Sequence, residues 1–262
     1  MSTRDYKGLN ERQRMLLDIL AHSSFASIEE ISEQLSVSAP TIRRDLQYFQ
    51  KLDIIYRIRG GARIKNPQAN AVLNTNRVYS MWMEKARIGK AAADLVQDGD
   101  LIAVNSGTTV MAFINNLREK HGLKIVLTDY EIALMITHKL DYEVIINGGK
   151  LVQNSSGQTG KKSVELLKSF YYDKCFVGVI AVNPRDGLMT SRVEFAEITR
   201  SIIENSNFKV LITDSTKFQK QSGAIIVPFD AMDMVITDSG INNYPSILDE
   251  IRKRGKVRLI IV

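Results

Sequence analysis

The chain has 262 residues, of which 44% are apolar and 24% charged, and its formal net charge is +6. This length suggests two domains, with a single large α/β domain as the alternative, and it is sufficient to bury a core without disulfides. The composition is ordinary for a globular protein. The excess of positive charge favours an anionic partner, which is nucleic acid, a membrane surface or a phosphorylated ligand.

The single cysteine, Cys175, lies in the apolar run CFVGVIAV, and we interpret it as a core residue. One cysteine cannot build a disulfide framework within a chain, which favours a reducing compartment. The first residues, MSTRDYKGLNERQR, lack the apolar stretch of a signal peptide, and no apolar run has the length of a bilayer span. We therefore expect a cytoplasmic protein.

Residues 1–65 are predicted to form a winged helix-turn-helix domain. An apolar stripe at helical spacing over Arg12–Leu20 indicates the first helix. Ser27 and Glu30 have the spacing of a capping box, which opens the second helix. The third helix is predicted from Ser38, after a tight turn, and IIYRIRGGARI then has the pattern of a β-hairpin. Helices with a tight turn, followed by a hairpin, are typical of DNA-binding domains.

The third helix and the hairpin carry most of the local positive charge. Ile42, Leu46 and Phe49 recur at helical spacing and are predicted to face the core. The opposite face then presents arginine and glutamine, which hydrogen-bond base edges or phosphates. A solvated basic helix in a helical bundle is the plainer alternative. The predicted DNA-binding residues are Ser38, Thr41, Arg43, Arg44, Gln47, Lys51, Arg57 and Arg59.

Residues 66–84 are polar, have no clear period and are predicted to be a linker. From residue 85 onward helical patterns alternate with the strands LIAVN, KIVLT, EVIING, CFVGVIAV, KVLIT, DMVIT and VRLIIV. Continuous β-branched strands of this kind are buried on both faces of a parallel sheet. The predicted fold class is therefore α/β, with an N-terminal winged helix-turn-helix and a mostly parallel α/β domain over residues 85–262.

Polar residues follow several of these strands, and open parallel sheets bind ligands beyond the carboxyl ends of their strands. The segment NSGTT, residues 105–109, lies between a strand and a helix, where backbone N–H groups bind a phosphate. An ordinary helix cap is the alternative. Further candidates at strand ends are Asp129, Gly148, Gly149 and the segment 214–217.

Glu194 and Glu197 begin a predicted helix, and the segment 191–194 fits a capping box, which is the interpretation we favour. Two carboxylates one turn apart also fit acid/base chemistry, with Asp129 as a third candidate. The histidines lack metal-ligand spacing, and no dinucleotide, Walker or hydrolase motif occurs. We therefore expect neither a metal nor a cofactor.

The segment TIRRDL, followed by a hairpin ending in GGA, resembles the N-terminal domain of DeoR-family bacterial transcription regulators. The resemblance continues through EKARIGKAAADLVQDGD, NSGTT, INGGKL, DKCFVG and TDSTKF, and so covers nearly the whole chain. It implies a C-terminal sensor domain similar to ribose-5-phosphate isomerases and CoA transferases, with a phosphorylated sugar or related metabolite as effector. Matching positions imply that residues 106–109 form the phosphate loop and that Lys217 and Glu194 contact the effector.

The sequence departs from the family pattern in three places. Ile58 and Arg59 precede the hairpin glycines, where the family usually has valine and histidine. Asn105 stands where the family commonly has aspartate, and the segment 179–182 is apolar where members are usually more polar. In the second domain, Asn105 removes a candidate general acid or base, and the apolar segment 179–182 removes a candidate contact to a sugar hydroxyl.

We therefore predict a DNA-binding transcriptional repressor of a carbohydrate operon. It binds double-stranded operator DNA as a homodimer or homotetramer and responds to a phosphorylated sugar or related small molecule. The alternatives are a sugar-phosphate isomerase fused to a DNA-binding module and an architectural DNA binder with a vestigial pocket. The predicted effector-binding residues are Asn105, Ser106, Gly107, Thr108, Thr109, Asp129, Gly148, Gly149, Glu194 and Lys217.

Overall fold

The computed structural model describes residues 11–22, 25–51, 55–58, 60–64, 81–137, 142–152 and 155–262. The chain divides into two compact units, Met1–Trp82 and Met83–Val262. The described elements of the first unit are α1 (Glu11–His22), β1 (Ala26–Ser27), α2 (Ile28–Leu35), α3 (Ala39–Lys51), β2 (Ile55–Ile58) and β3 (Gly61–Ile64).

The first unit has the predicted helices and hairpin. The capping box is confirmed, because the backbone N–H of Glu30 donates to Ser27 Oγ at 3.1 Å and that of Ser27 donates to Glu30 Oε2 at 2.8 Å. These hydrogen bonds lower the pKa of Glu30, and the bond donated by the Ser27 backbone has the largest effect. Ile42, Leu46 and Phe49 are fully buried, as their spacing predicts. Strand β1 adds to the hairpin in an antiparallel sheet of order β1-β3-β2.

The second unit alternates strands and helices, with three short 3-10 turns late in the chain. Its described helices and strands are α4 (Trp82–Ala93, whose first residue belongs to the first unit), β4 (Leu101–Val104), α5 (Thr108–Ile114), β5 (Lys124–Leu127), α6 (Tyr130–Thr137), β6 (Glu143–Ile146), β7 (Lys150–Leu151), β8 (Gln158–Thr159), α7 (Lys161–Lys168), β9 (Tyr172–Val177), β10 (Ala181–Asn183), β11 (Gly187–Thr190), α8 (Val193–Glu204), β12 (Ser206–Ile212), β13 (Ala224–Ile225), β14 (Met234–Thr237), α9 (Pro245–Arg254) and β15 (Arg258–Ile261).

Seven of these strands form a parallel sheet of order β15-β14-β12-β9-β4-β5-β6, which confirms the predicted fold class. The chain starts at β4, builds outward to β6, and then returns to β9 on the other side of β4. The sheet therefore has its switch point between β4 and β9. In open α/β sheets the crevice at this point is where ligands bind, because the loops leave the two strands in opposite directions.

Both faces of the parallel sheet are buried. Side chains from α4, α5 and α6 pack on one face together with Ile102 and Val104, and side chains from α7, α8 and α9 pack on the other face with Ala103. Adjacent residues of one strand thus enter opposite cores, which explains the continuous apolar runs. Cys175 is fully buried in the second of these cores, and burial raises its pKa to about 11. Its interpretation as a core residue is confirmed.

Three details differ from expectation. The run CFVGVIAV is two strands, because the ladder of β9 ends before Gly178 and β10 pairs antiparallel with β11 instead. Helix α4 begins at Trp82, so the last three residues of the predicted linker, 82–84, are helical. The predicted capping box at 191–194 is wrong, since α8 begins after Arg192 and no side chain of the described residues caps it. The rest of the predicted linker lies outside the described residues.

Over the described residues, no helix combines the length and apolarity that a bilayer span requires. The same residues hold no cluster of three or more metal-ligating side chains.

Helices α4 and α5 approach each other closely at Gly89. A Cβ atom built on this buried glycine would lie 2.6 Å from the carbonyl carbon of Ala112 and 2.6 Å from the nitrogen of Phe113. Both atoms are backbone atoms, so no side-chain rotation would make room. Glycine is therefore required where α4 crosses α5.

We expect Gly89→Ala to lower the free energy of unfolding by roughly 1–2 kcal/mol, because overpacking outweighs the better helix propensity of alanine. Gly223→Ala is the matched control, since its new Cβ would meet only Ser191 O at 3.7 Å. Urea unfolding of both variants measures the difference. Equal stability of the two variants would show that the crossing relaxes without cost.

Candidate DNA-binding surface and effector site

Helix α3 has one anchored face and one free face. Arg43, Arg44, Gln47 and Lys51 are exposed, and Thr41 is half-buried on the flank. The free face follows from the buried one, because Ile42, Leu46 and Phe49 fix the rotation of the helix at 100° per residue. The structure thus brings these predicted residues together on one surface.

Ser38 stands at the amino end of α3. Its carbonyl oxygen accepts hydrogen bonds from the N–H groups of Thr41 at 3.0 Å and Ile42 at 3.1 Å. The hydroxyls of Ser38 and Thr41 are 3.0 Å apart and bond to each other. Both side chains therefore sit at the positive end of the helix, where an anionic group is favoured.

The hairpin adds two cationic side chains, Arg57 and Arg63, which lie on its opposite faces. Arg57 is exposed on β2, while Arg59 lies outside the described residues. The Arg63 guanidinium carbon lies 5.3 Å from the ring centroid of Tyr56, the residue that pairs with it across the hairpin. Sequence reasoning missed this cation–π contact, which fixes the direction of the Arg63 side chain.

Asp45 is the second feature that sequence reasoning missed. It directly follows the exposed Arg43 and Arg44 on α3, yet it is 4% exposed. Arg12 Nε donates to Asp45 Oδ2 at 2.7 Å, and Gln13 Nε2 donates to Asp45 Oδ1 at 2.8 Å. Asp45 in turn raises the pKa of Arg12, mainly through their hydrogen bond. The carboxylate thus ties α3 to α1 and fixes the direction in which the free face points.

In the second unit, Asn105 follows β4 at the switch point. Its Nδ2 donates to the carbonyl oxygen of Gly178 at 2.8 Å, and its Oδ1 accepts from the N–H of Gly178 at 2.9 Å. Gly178 follows β9, so one side chain joins the carboxyl ends of the two strands that flank the switch point. Asn105 Nδ2 also lies 3.4 Å from Thr199 Oγ1 of α8.

The loop after Asn105 leads into α5. Gly107 has φ 138°, a left-handed conformation that favours glycine, and the first helical residue is Thr108. Met111 N–H bonds to the carbonyl of Gly107 at 2.9 Å, and within the described part of the chain no side chain caps the helix. The preceding N–H groups of α5 therefore point into the loop at the positive end of the helix.

Asp129, in contrast, has both carboxylate oxygens engaged. Its Oδ1 accepts from the N–H groups of Glu131 at 3.0 Å and Ile132 at 3.2 Å, which caps α6. Its Oδ2 accepts from Ser156 Oγ at 2.5 Å, and the residue is 4% exposed. These bonds give Asp129 a structural function.

The other candidates lie away from the centre of the sheet edge. Gly149 faces Ser163 and Thr159 so closely that any side chain would collide with them, and the Gly148 carbonyl accepts from the Ser163 hydroxyl. Lys217 lies beyond β12, with Nζ 3.7 Å from Asp214 Oδ2 and a side chain that is 13% exposed.

Glu194 is exposed in the first turn of α8. The adjacent Phe195 packs on Gly157, where an added Cβ would lie 2.7 Å from the ring. Gly157 forms a bridge with Asp129, beyond β5. The start of α8 therefore lies near the carboxyl ends of β4 and β5.

The predicted effector residues thus span five neighbouring strands, from β6 to β12. At the usual strand spacing this is about 19 Å. The residues that lie together at the switch point are the loop 105–109, with the start of α8 close by. The glycines beyond β6 and the lysine beyond β12 lie on opposite sides of that group.

Two family models match successive parts of the chain. The family model for the DeoR C-terminal sensor domain matches residues 81–239, which is more than half of the chain. The model for the DeoR-like helix-turn-helix domain matches residues 12–68.

Three relatives align over most of their length. The HTH-type transcriptional regulator YgbI of Escherichia coli K12 is 29% identical, covering 88% of this chain and 90% of that protein. A putative aga operon transcriptional repressor of Escherichia coli O157:H7 is also 29% identical, covering 97% and 94%. The glycerol-3-phosphate regulon repressor of Escherichia coli K12 is 27% identical, covering 87% and 90%.

Among solved structures, a probable sor operon regulator from Shigella flexneri has a TM-score of 0.45 and 13% identity, over 64% of this chain and 89% of that one. A ribose-5-phosphate isomerase from Methanocaldococcus jannaschii has a TM-score of 0.39 and 20% identity, over 54% and 56%. Likeness at this level has no weight for function. On the sensor-domain match, the chain belongs to the DeoR family of helix-turn-helix transcriptional regulators.

Proposed function

We propose that the protein represses a carbohydrate operon by binding operator DNA through α3, and that a phosphorylated sugar or related metabolite changes its affinity for the operator. The observation that carries the proposal is the free face of α3. Two of the relatives are named as repressors of the aga operon and of the glycerol-3-phosphate regulon. Those names support a carbohydrate operon as the target here.

The free face of α3 has the chemistry to read DNA. Arg44 and Gln47 present planar groups that bond guanine and adenine edges in the major groove, and Lys51 reaches a phosphate. The buried face and Asp45 hold the helix from behind, so these side chains are presented in a fixed direction. Arg57 and Arg63 add positive charge on the two faces of the hairpin.

The loop 105–109 is the best-supported place for the effector. It lies at the switch point of the sheet, and the first N–H groups of α5 carry no side-chain cap from the described residues. Backbone N–H groups at a helix start bind phosphate, and the hydroxyls of Ser106, Thr108 and Thr109 add hydrogen-bond partners. Glu194 is the nearest candidate for a sugar hydroxyl, and Lys217 contributes positive charge from farther along the edge.

Operator binding by a helix-turn-helix protein normally uses two half-sites, so the proposal includes at least a homodimer. An effector that binds one quaternary arrangement more tightly than the other would change operator affinity by that difference.

The isomerase alternative is not supported. It needs a positioned acid/base pair, and Asp129 is engaged on both oxygens while Glu194 and Glu197 are exposed. The relatives that align over nearly the whole chain are named as regulators or repressors. Incubation with aldose phosphates, followed by NMR, tests this point, because turnover at ordinary enzyme rates contradicts the proposal.

The effector site is tested with Thr108→Asp and Thr108→Asn in the full-length chain. We expect the carboxylate to occupy the positive start of α5 and exclude an anion, while the neutral amide of similar size leaves the site usable. Thermal shifts are measured with glycerol 3-phosphate, glucose 6-phosphate and their unphosphorylated parents. At 100 times the dissociation constant, binding adds about 2.7 kcal/mol of stability.

Stabilisation of the wild type and Thr108→Asn by phosphorylated compounds only, with none for Thr108→Asp, is the expected result. Stabilisation of all three proteins would place the ligand elsewhere. A chain that no phosphorylated sugar stabilises would favour the architectural alternative.

For DNA binding, we expect Arg44→Ala to weaken binding to a selected duplex by about 1–3 kcal/mol and to relax its sequence preference. The duplex is selected by the wild-type chain from a random library. Arg118→Ala, at an exposed arginine of the second unit, is the control for loss of charge. Affinity is measured by fluorescence anisotropy at fixed salt, and an unchanged Arg44→Ala affinity would show that α3 presents a different face.

For the anchor of α3, we expect Asp45→Asn to lower the urea midpoint of the first unit and to weaken binding to the selected duplex more than binding to random DNA. The reason is that α3 loses the charged acceptor for Arg12 and Gln13, whereas the exposed cations remain. Glu33→Gln, at an exposed acid of α2, is the control. Equal losses on both duplexes would mean that Asp45 does not orient the reading face.

A further inference from the structure

The side chain of Asn105 lies at the switch point of the sheet. It is 7% exposed, and its amide joins the carboxyl end of β4 to the carboxyl end of β9. In open α/β sheets a crevice forms at the switch point because neighbouring strands send their loops in opposite directions. Here one side chain bridges the two strands that separate.

The amide of Asn105 is almost fully engaged. The nitrogen donates to Gly178 O at 2.8 Å and lies 3.4 Å from Thr199 Oγ1, and the oxygen accepts from Gly178 N–H at 2.9 Å. An amide has two donor hydrogens and an acceptor oxygen, so little capacity remains for a ligand. The paired bonds to the N–H and the carbonyl of Gly178 need a donor and an acceptor on the same side chain.

Only an amide or a protonated acid satisfies both bonds. A carboxylate accepts from Gly178 N–H, but it faces Gly178 O without a hydrogen, and two acceptors repel each other. Alanine makes neither bond. The geometry therefore specifies the chemical type of residue 105 and not only its size.

We propose that Asn105 is a positioning residue, not an effector contact: it clamps the carboxyl ends of β4 and β9 and thereby holds the loop 106–109. This deepens the proposed function and rests on it for the identity of the ligand.

The proposal predicts a specific pH dependence for Asn105→Asp. The introduced carboxyl gains a hydrogen bond to Gly178 O only when it is protonated, so its pKa in the folded state is raised above the ordinary value of about 4. In the window between these two values the folded state binds more protons than the unfolded state. The stability of the variant relative to wild type therefore falls as the pH rises and levels off above the raised pKa.

The experiment compares thermal midpoints of the full-length chain from pH 5 to pH 8. We expect the deficit of Asn105→Asp to grow with pH and to reach at least about 3 °C at pH 8. Asn105→Ala should show a deficit that stays constant with pH, since it loses the clamp without adding a titratable group. Asn116→Asp is the matched control, because its exposed amide also donates to a backbone carbonyl, that of Ala112, at 2.8 Å.

A second readout is the dissociation constant of glycerol 3-phosphate, taken as a ratio of variant to wild type at each pH so that titration of the phosphate cancels. We expect Asn105→Asp to bind near the wild-type level at pH 5 and about tenfold more weakly at pH 8. A pH-independent loss of affinity would identify Asn105 as a direct ligand contact and overturn the proposal.

The pH dependence of the thermal midpoints is sufficient to test whether Asn105 clamps the two strand ends. A deficit of Asn105→Asp that does not vary with pH, or that matches Asn116→Asp, overturns the clamp whatever the ligand does. A wild-type chain that binds no phosphorylated probe counts against the proposed effector alone, because the stability profile is measured without ligand.

Discussion

The second unit depends on a single topological constraint, the reversal of strand order between β4 and β9. A parallel sheet needs a long crossover between strands, and each crossover here deposits a helix on one face. Building outward from β4 to β6 places α5 and α6 on one face, and the return to β9 brings the later helices to the other face. The loop 105–109 and the hydrogen bonds between Asn105 and Gly178 both lie where these two directions separate.

The start of α5 lies about one turn from a close backbone contact between α5 and α4. Helix α5 begins at the loop 105–109, and farther along it touches Gly89 of α4 through backbone atoms. A contact without intervening side chains transmits a shift more directly than a packed interface that relaxes by rotamer changes.

Local patterns in the sequence were sufficient to predict the face of α3 and the parallel sheet, since both depend on spacing within one element. Long-range polar contacts were not predictable. Asp45 meets Arg12 from 33 residues away, and Asn105 meets Gly178 from 73 residues away. The break in CFVGVIAV had the same origin, because all its residues are apolar and only the change of partner strand at Gly178 divides it. The exposed face of α3 was therefore easier to predict than the arrangement of the residues proposed for the effector site.

The apolar segment 179–182 has a consequence for what the proposed effector site recognises. Ala181 and Val182 are fully buried and build the antiparallel sheet with β11, so they contribute no polar group to the crevice. With Asn105 bonded to Gly178 and Asp129 in a helix cap, the polar groups that remain for the proposed effector are those of the loop 106–109, with Glu194 nearby and Lys217 farther along the sheet edge. A site of this kind distinguishes ligands mainly by their anionic group and only weakly by the stereochemistry of their hydroxyls. We therefore expect presence of the phosphate, more than the identity of the sugar, to determine the response of this regulator.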